Sequence, residues 1–177
     1  MDLPEFPYHP DSLATGAVIG SDVECVCCAR RRDHAYAGPV YAEETIGRRR
    51  LCPWCIADGS AAERFGAMFN DAGLGAPGEI PMEVLDTLTR RTPGYLAWQT
   101  ERWLFHCGDG AAFLGAAGAK ELIEHSDALE MLRRERDRWP AQQVENYLAA
   151  LDKDGPPTAY LFGCRSCGAE LAYSDST

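Results

Sequence analysis

The reading turns on two short stretches, Glu24-Cys25-Val26-Cys27-Cys28-Ala29 and Leu51-Cys52-Pro53-Trp54-Cys55-Ile56, with twenty-three residues between Cys28 and Cys52. Each C-x-x-C turn sets two sulfurs on one side of a tight loop. Two such turns close a tetrahedral set of four soft ligands, the arrangement a structural zinc ion takes. The interval is slightly long for a zinc ribbon. Cys25, Cys28, Cys52 and Cys55 are therefore the first candidate metal site, with Zn2+ as its cofactor. Cys27 lies inside the first turn and points elsewhere. Exchanging Cys27 for Cys25 is an alternative with poorer spacing.

A third pair, Cys164-Arg165-Ser166-Cys167, is followed by Gly168, which allows the positive φ such turns need. It has no second C-x-x-C to complete it. The available partners are Cys107, His106 and Cys27. A second zinc held by Cys107, Cys164, Cys167 and a fourth ligand is one reading, with His106 a candidate although adjacent residues rarely both reach one ion. The other reading is a pair of partly buried free thiols.

The chain has 177 residues, 46% of them hydrophobic, and a formal charge of -10 from 17 basic and 27 acidic residues. That length suits one domain with a sizeable core. The acidic excess argues against a nucleic-acid binder and points to a cationic partner, or simply to solubility. The dense basic runs, Arg30–Arg32 and Arg48–Arg50, each adjoin a cysteine pair, where they would offset thiolate repulsion. The acidic, proline-rich start lacks the pattern of a signal peptide, and no apolar run is long enough to span a membrane. A cytoplasmic location is expected. There, eight cysteines point to metal or redox chemistry rather than disulfides.

The pattern along the chain predicts an α+β fold in one domain. Residues 1–58 read as an arm and a zinc ribbon, with short strands at Asp22–Cys25 and Tyr36–Ala42. Residues 59–155 read as a helical region. A helix is expected over Ser60–Asn70, with Ser60 and Glu63 as a capping box. Another follows Pro81 and stops at Thr92-Pro93-Gly94. The aromatics between residues 95 and 107 are expected in the core. Leu122, Ile123, Leu129 and Leu132 mark a helix broken at Ser126, and Val144, Tyr147, Leu148 and Leu151 mark another. Residues 156–177 return to β structure around Cys164 and Cys167, and the two ends are expected to fold together over the helical middle.

Cys52-Pro53-Trp54-Cys55 also has the form of a thiol oxidoreductase motif, which works because a helix N-terminus lowers a thiol pKa. The residues before it, Gly47-Arg48-Arg49-Arg50, make no buried strand. His9, His34 and His125 fall in no metal or catalytic pattern. There is no P-loop or dinucleotide fingerprint.

Several segments together resemble the CbrC-like family of small bacterial proteins. They are Leu3-Pro4-x-Phe6-x-Tyr8-His9-Pro10-Asp11, Cys25-Val26-Cys27-Cys28 and Gly38-Pro39-Val40-Tyr41-Ala42. The decapeptide Leu51-Cys52-Pro53-Trp54-Cys55-Ile56-Ala57-Asp58-Gly59-Ser60, Arg91-Thr92-Pro93-Gly94, His106-Cys107-Gly108-Asp109, Cys164-x-x-Cys167 and Tyr173-Ser174-Asp175 extend the match over nearly the whole chain. Some relatives are expected to carry a cysteine after Asp175, where this chain has Ser176. The family's namesake is associated with tolerance to a DNase colicin. The resemblance thus implies a protein-binding immunity or toxin-tolerance factor that engages a basic toxin domain. The competing expectation is an enzyme, either zinc-dependent at the C-terminal cysteines or thiol-disulfide at Cys52 and Cys55.

Overall fold

The computed structural model describes residues 2–99 and 101–176. Over the described residues the fold is mixed α+β, with small antiparallel sheets, five α-helices and a cysteine cluster toward each end of the chain. The chain divides into two compact units. The first comprises Met1–Leu96 with Glu101–Trp103, and the second Ala97–Thr100 with Leu104–Thr177.

The first unit has two short strands, β1 (Val18–Gly20) and β2 (His34–Tyr36), paired antiparallel with Val18 opposite Tyr36. The expected strand at Asp22–Cys25 is a single bridge, Glu24 to Arg31, because the chain turns at once into the cysteine knuckle. The expected strand at Tyr36–Ala42 ends at Tyr36, and Tyr41 pairs only by a bridge with Met68. Gly38 and Pro39 interrupt it, and proline donates no ladder hydrogen bond.

Helices α1 (Pro53–Ala57), α2 (Ser60–Phe65) and α3 (Met82–Arg91) follow. Helix α2 is shorter than expected because Gly66, at φ 60°, caps it. The capping box does not form. Gly59 is the N-cap and the Ser60 hydroxyl bonds the Asp58 carboxylate at 2.6 Å instead. Helix α3 begins after Pro81, buries Leu88 and carries an Asp86–Arg90 pair one turn apart.

The N-terminal arm lies on this core as expected, with Phe6, Tyr8 and His9 all buried. The His9 Nδ1 bonds the Pro93 carbonyl at 2.9 Å, and burial pulls the imidazole pKa down to about 4. A second tie centres on Tyr36. Its hydroxyl donates to the Phe69 carbonyl at 3.0 Å and accepts the Gly94 N–H at 3.2 Å. A Cβ at Gly38 would collide with this hydroxyl, and one at Gly94 with the Phe69 carbonyl that accepts from it, so neither position has room for a side chain. Of the aromatics expected in the core, Tyr95 and Trp103 are buried and Trp98 is 45% exposed.

Glu101 is an acid drawn into this packing with a strong consequence. Burial raises its carboxyl from the ordinary 4.5 to about 8, and Tyr95 N–H donates to it at 3.2 Å. The fold favours the neutral acid. Its contribution is therefore full below about 4.5 and is lost as pH rises through about 8. Glu101→Gln should remove that loss. Its thermal midpoint should exceed the parent's by several degrees at pH 8 and match it near pH 4.5. Equal differences at both pH values would refute the assignment.

The second unit is built on β5 (Ala112–Ala117), β6 (Thr158–Gly163) and β7 (Glu170–Asp175), antiparallel with β6 central. A small hairpin, β3 (Phe105–His106) with β4 (Asp109–Gly110), precedes it. Strands β3 to β5 lie within the stretch expected to be helical. Alanine and glycine dominate β5, so no β-branched run announced it. Along β6 the side chains alternate. Ala159 and Leu161 join the cluster formed by Leu122, Leu132, Val144, Leu148 and Leu151. Phe162 and Tyr160 join a ring stack, with Phe113–Phe162 at 5.2 Å and Tyr160–Tyr173 at 5.0 Å. Those helical residues come from α4 (Ser126–Arg134), α5 (Ala141–Ala149) and the chain beside them. The expected break at Ser126 is present, as a 3-10 turn over Glu121–Glu124 before α4 begins. Among the described residues no helix is long and apolar enough to cross a membrane.

Candidate metal centres

The first cluster is assembled from two local devices. The knuckle closes when Cys25 N–H donates to the Arg30 carbonyl and Ala29 N–H to the Cys25 carbonyl, with Ala29 at φ 53°. This tight turn brings Cys25 and Cys28 to the same side. The other pair sits at a helix start. Cys52 is the N-cap of α1, Pro53 occupies the first turn, and Cys55 follows three positions on, on the same face.

The Cys25 and Cys55 sulfurs are 3.9 Å apart, Cys28 and Cys52 3.9 Å, and Cys52 and Cys55 3.5 Å. All four lie within 4.8 Å of one another. These separations far exceed the roughly 2 Å of a disulfide, and all eight cysteines are free. A metal–sulfur bond of about 2.3 Å implies a tetrahedral edge of about 3.8 Å. The donor set therefore fits one tetrahedral ion. Cys25, Cys52 and Cys55 are buried together with Leu51, Ile56 and Phe69.

Protons are shared unequally in this cluster. The Cys52 hydrogen bond, helped by backbone N–H groups, holds the Cys25 thiol down to about 4. The same contact and burial push Cys52 up, and burial does so for Cys55. An entering cation displaces protons from those two thiols. Cys27 stays outside. Its sulfur approaches the Ser60 hydroxyl at 3.6 Å, and its carbonyl accepts from Arg64. Of the flanking basic runs, Arg32 stacks over Trp54 at 4.7 Å.

The second cluster joins His106 and Cys107, at the β3–β4 hairpin, with Cys164 and Cys167, in the β6–β7 turn. Cys107 and Gly108 both have positive φ, 52° and 72°. That is the two-residue hairpin conformation matching strand twist. It also explains how neighbours in sequence reach one point. The left-handed backbone at Cys107 swings its sulfur to 3.3 Å from the His106 Nδ1. The Cys167 sulfur is 3.7 Å from Cys107 and 3.4 Å from His106 Nδ1. In the β6–β7 turn, Gly168 N–H donates to the Cys164 carbonyl. The Cys167 N–H chiefly holds the Cys164 thiol near 6, whereas the contact with Cys167 lifts Cys107 to about 11.

An ion pair at 2.8 Å links Asp109 of the hairpin to Arg165 of the turn. By spacing alone Asp109, a catalytic carboxylate in principle, is indistinguishable from a solvated charge. A Cys-Gly pair between two residues able to pair as strands was the available signal. His125, also left without a role, pairs with Glu170 at 2.7 Å. Neither His9, His34 nor His125 joins a metal-capable group among the described residues.

The fold and these two centres define a class: mixed α+β proteins with a cysteine-rich, metal-capable cluster in each of two units. The chain belongs to the uncharacterised protein family UPF0167, whose model matches residues 3–176. It is similar to UPF0167 proteins of Mycobacterium bovis and Mycobacterium tuberculosis, each 51% identical over 175 residues, covering 98% of this chain and 93% of the relative. A UPF0167 protein of Pseudomonas aeruginosa is 40% identical over 167 residues, covering 94% of this chain and 93% of the relative. No solved structure matches at a significant level. The likeness to CbrC rests on the sequence motifs alone.

Proposed function

We propose that this is a two-zinc protein that works in the cytoplasm as a protein-binding factor of the immunity or toxin-tolerance type, engaging a cationic partner. The observation that carries the zinc reading is the convergence of four cysteine sulfurs from two turns, at tetrahedral edge lengths, inside the core of the first unit. Thiolates select zinc or iron, and a closed set in a core suits a structural role. Protein purified without added metal should hold two zinc ions per chain. Iron in their place would overturn the assignment.

The partner reading rests on charge and on the CbrC resemblance. The chain carries -10 before any metal is counted. Four thiolates around a divalent ion add about two further negative charges. A nuclease toxin must present a positive surface to phosphate, so an acidic binder is steered to it. Capture of a basic toxin domain should succeed near 0.05 M salt and fail near 0.5 M, where screening is short-ranged (on the order of 4 Å). A gene for such a domain beside this one would support the pairing. Recovery of no basic protein from the native host at low salt would count decisively against it.

A thiol-disulfide enzyme is the second reading. One observation favours it: Cys52 caps a helix start, 3.5 Å from the Cys55 sulfur. Cys25 and Cys28 converge on the same pair, which suits a ligand set better than a reactive dithiol. Insulin reduction that disappears in Cys52→Ser would reverse the order.

A further inference from the structure

We infer that the second centre is a metal-exchange site, passing zinc to and from small thiols or thiol-rich acceptors by direct ligand substitution. This rests on the zinc reading above. The observation behind it is a contrast between two donor sets of similar geometry.

Direct substitution requires an incoming sulfur to approach the ion while the old ligands still hold it. In the first cluster that approach is restricted, since only Cys28 is partly exposed. Cys25, Cys52 and Cys55 are 2–3% exposed and packed among Leu51, Ile56 and Phe69. In the second, His106, Cys107 and Cys167 are exposed and only Cys164 is buried. Two of the exposed ligands occupy the hairpin between β3 and β4, the third the β6–β7 turn.

His106 is the ligand suited to leave first. A neutral imidazole departs without taking up a proton, and three cysteine thiolates keep their hold. The incoming thiol gives its proton to solvent, and its sulfur forms a bond to zinc as the His106 Nδ1 bond breaks. Each later substitution exchanges one cysteine sulfur for one acceptor sulfur, and the acceptor's proton passes to the displaced sulfur or to solvent. No electrons change hands, so no oxidant is needed.

Two further features suit release. Cys107 holds a left-handed backbone that non-glycine residues adopt at a cost, and strain of this kind gathers at working sites. The frame also has its own support. Asp109 and Arg165 tie hairpin to turn, and the core of this unit lies in the sheet and its helices. The first cluster, by contrast, is part of its unit's core.

The test mixes the zinc-loaded full chain with 4-(2-pyridylazo)resorcinol, which colours on binding zinc, over a glutathione series. One of the two zinc equivalents should leave at a rate proportional to glutathione, with the far-ultraviolet circular dichroism unchanged. His106→Cys, which supplies a fourth thiolate, should slow that phase at least about tenfold, and His106→Ala should speed it. Release of both equivalents together, a rate independent of glutathione, or a rate indifferent to both variants would overturn the inference. Protein that never holds a second zinc would instead remove the reading it rests on.

Discussion

Replacing Cys52 with serine should unfold the first unit. Cys52 contributes to three parts of the site. Its sulfur lies 3.5 Å from Cys55 and 3.9 Å from Cys28, its N–H donates to the Cys25 sulfur at 3.3 Å, and its backbone caps α1. Serine keeps the cap and loses the thiolate. A structural zinc contributes on the order of 10 kcal/mol to folding, as much as the whole stability of many domains. The variant should hold one zinc per chain in place of two. Amide resonances of the first unit should collapse while those of β5, β6 and β7 persist. A thermal midpoint within a degree of the parent's, with both ions retained, would show that the cluster is not structural.

Gly94→Ala should be nearly as damaging, for a steric reason. A Cβ at Gly94 would collide with the Phe69 carbonyl oxygen, which is backbone and cannot swing aside, and would meet the Glu101 carboxylate at 2.9 Å. The same carbonyl accepts the Tyr36 hydroxyl, and Gly94 N–H donates to that hydroxyl. One methyl group thus disturbs two hydrogen bonds around a tyrosine that is 1% exposed. The expected loss is about 3 kcal/mol or more, by overpacking and by orphaning buried polar atoms. Urea unfolding would read it directly. An unchanged midpoint would mean that the segment after α3 shifts freely. Gly73→Ala, where a Cβ meets nothing within 4 Å, is the matched control.

The cysteine pairs were legible because their chemistry is local. A C-x-x-C turn presents its sulfurs whatever surrounds it, so spacing was enough to group Cys25, Cys28, Cys52 and Cys55. Helices α3, α4 and α5 were legible through apolar periodicity. The strands were harder to read. Strand β5 is made of Ala112, Phe113, Leu114, Gly115, Ala116 and Ala117, a composition with little β preference, and pairing with β6 decides its conformation. His106 was legible only as a candidate ligand, for a different reason. Neighbouring side chains diverge on ordinary backbone, and only the positive φ at Cys107 brings the two together. A lone Cys-Gly gives little hint of that.

The short segment Glu101–Trp103 belongs to the first unit, although residues on both sides of it in the chain belong to the second. Neither unit is therefore one unbroken stretch of polypeptide. Cleavage at residue 96 would strip the first unit of Glu101 and of the Tyr95 hydroxyl's acceptor, the Arg102 carbonyl. Cleavage at residue 103 would cost the second unit Trp98, whose indole N–H donates to the Thr158 hydroxyl at 2.8 Å. No single cut leaves two intact halves. Any rearrangement that shuffled one half into another protein would have to carry a piece of the other with it.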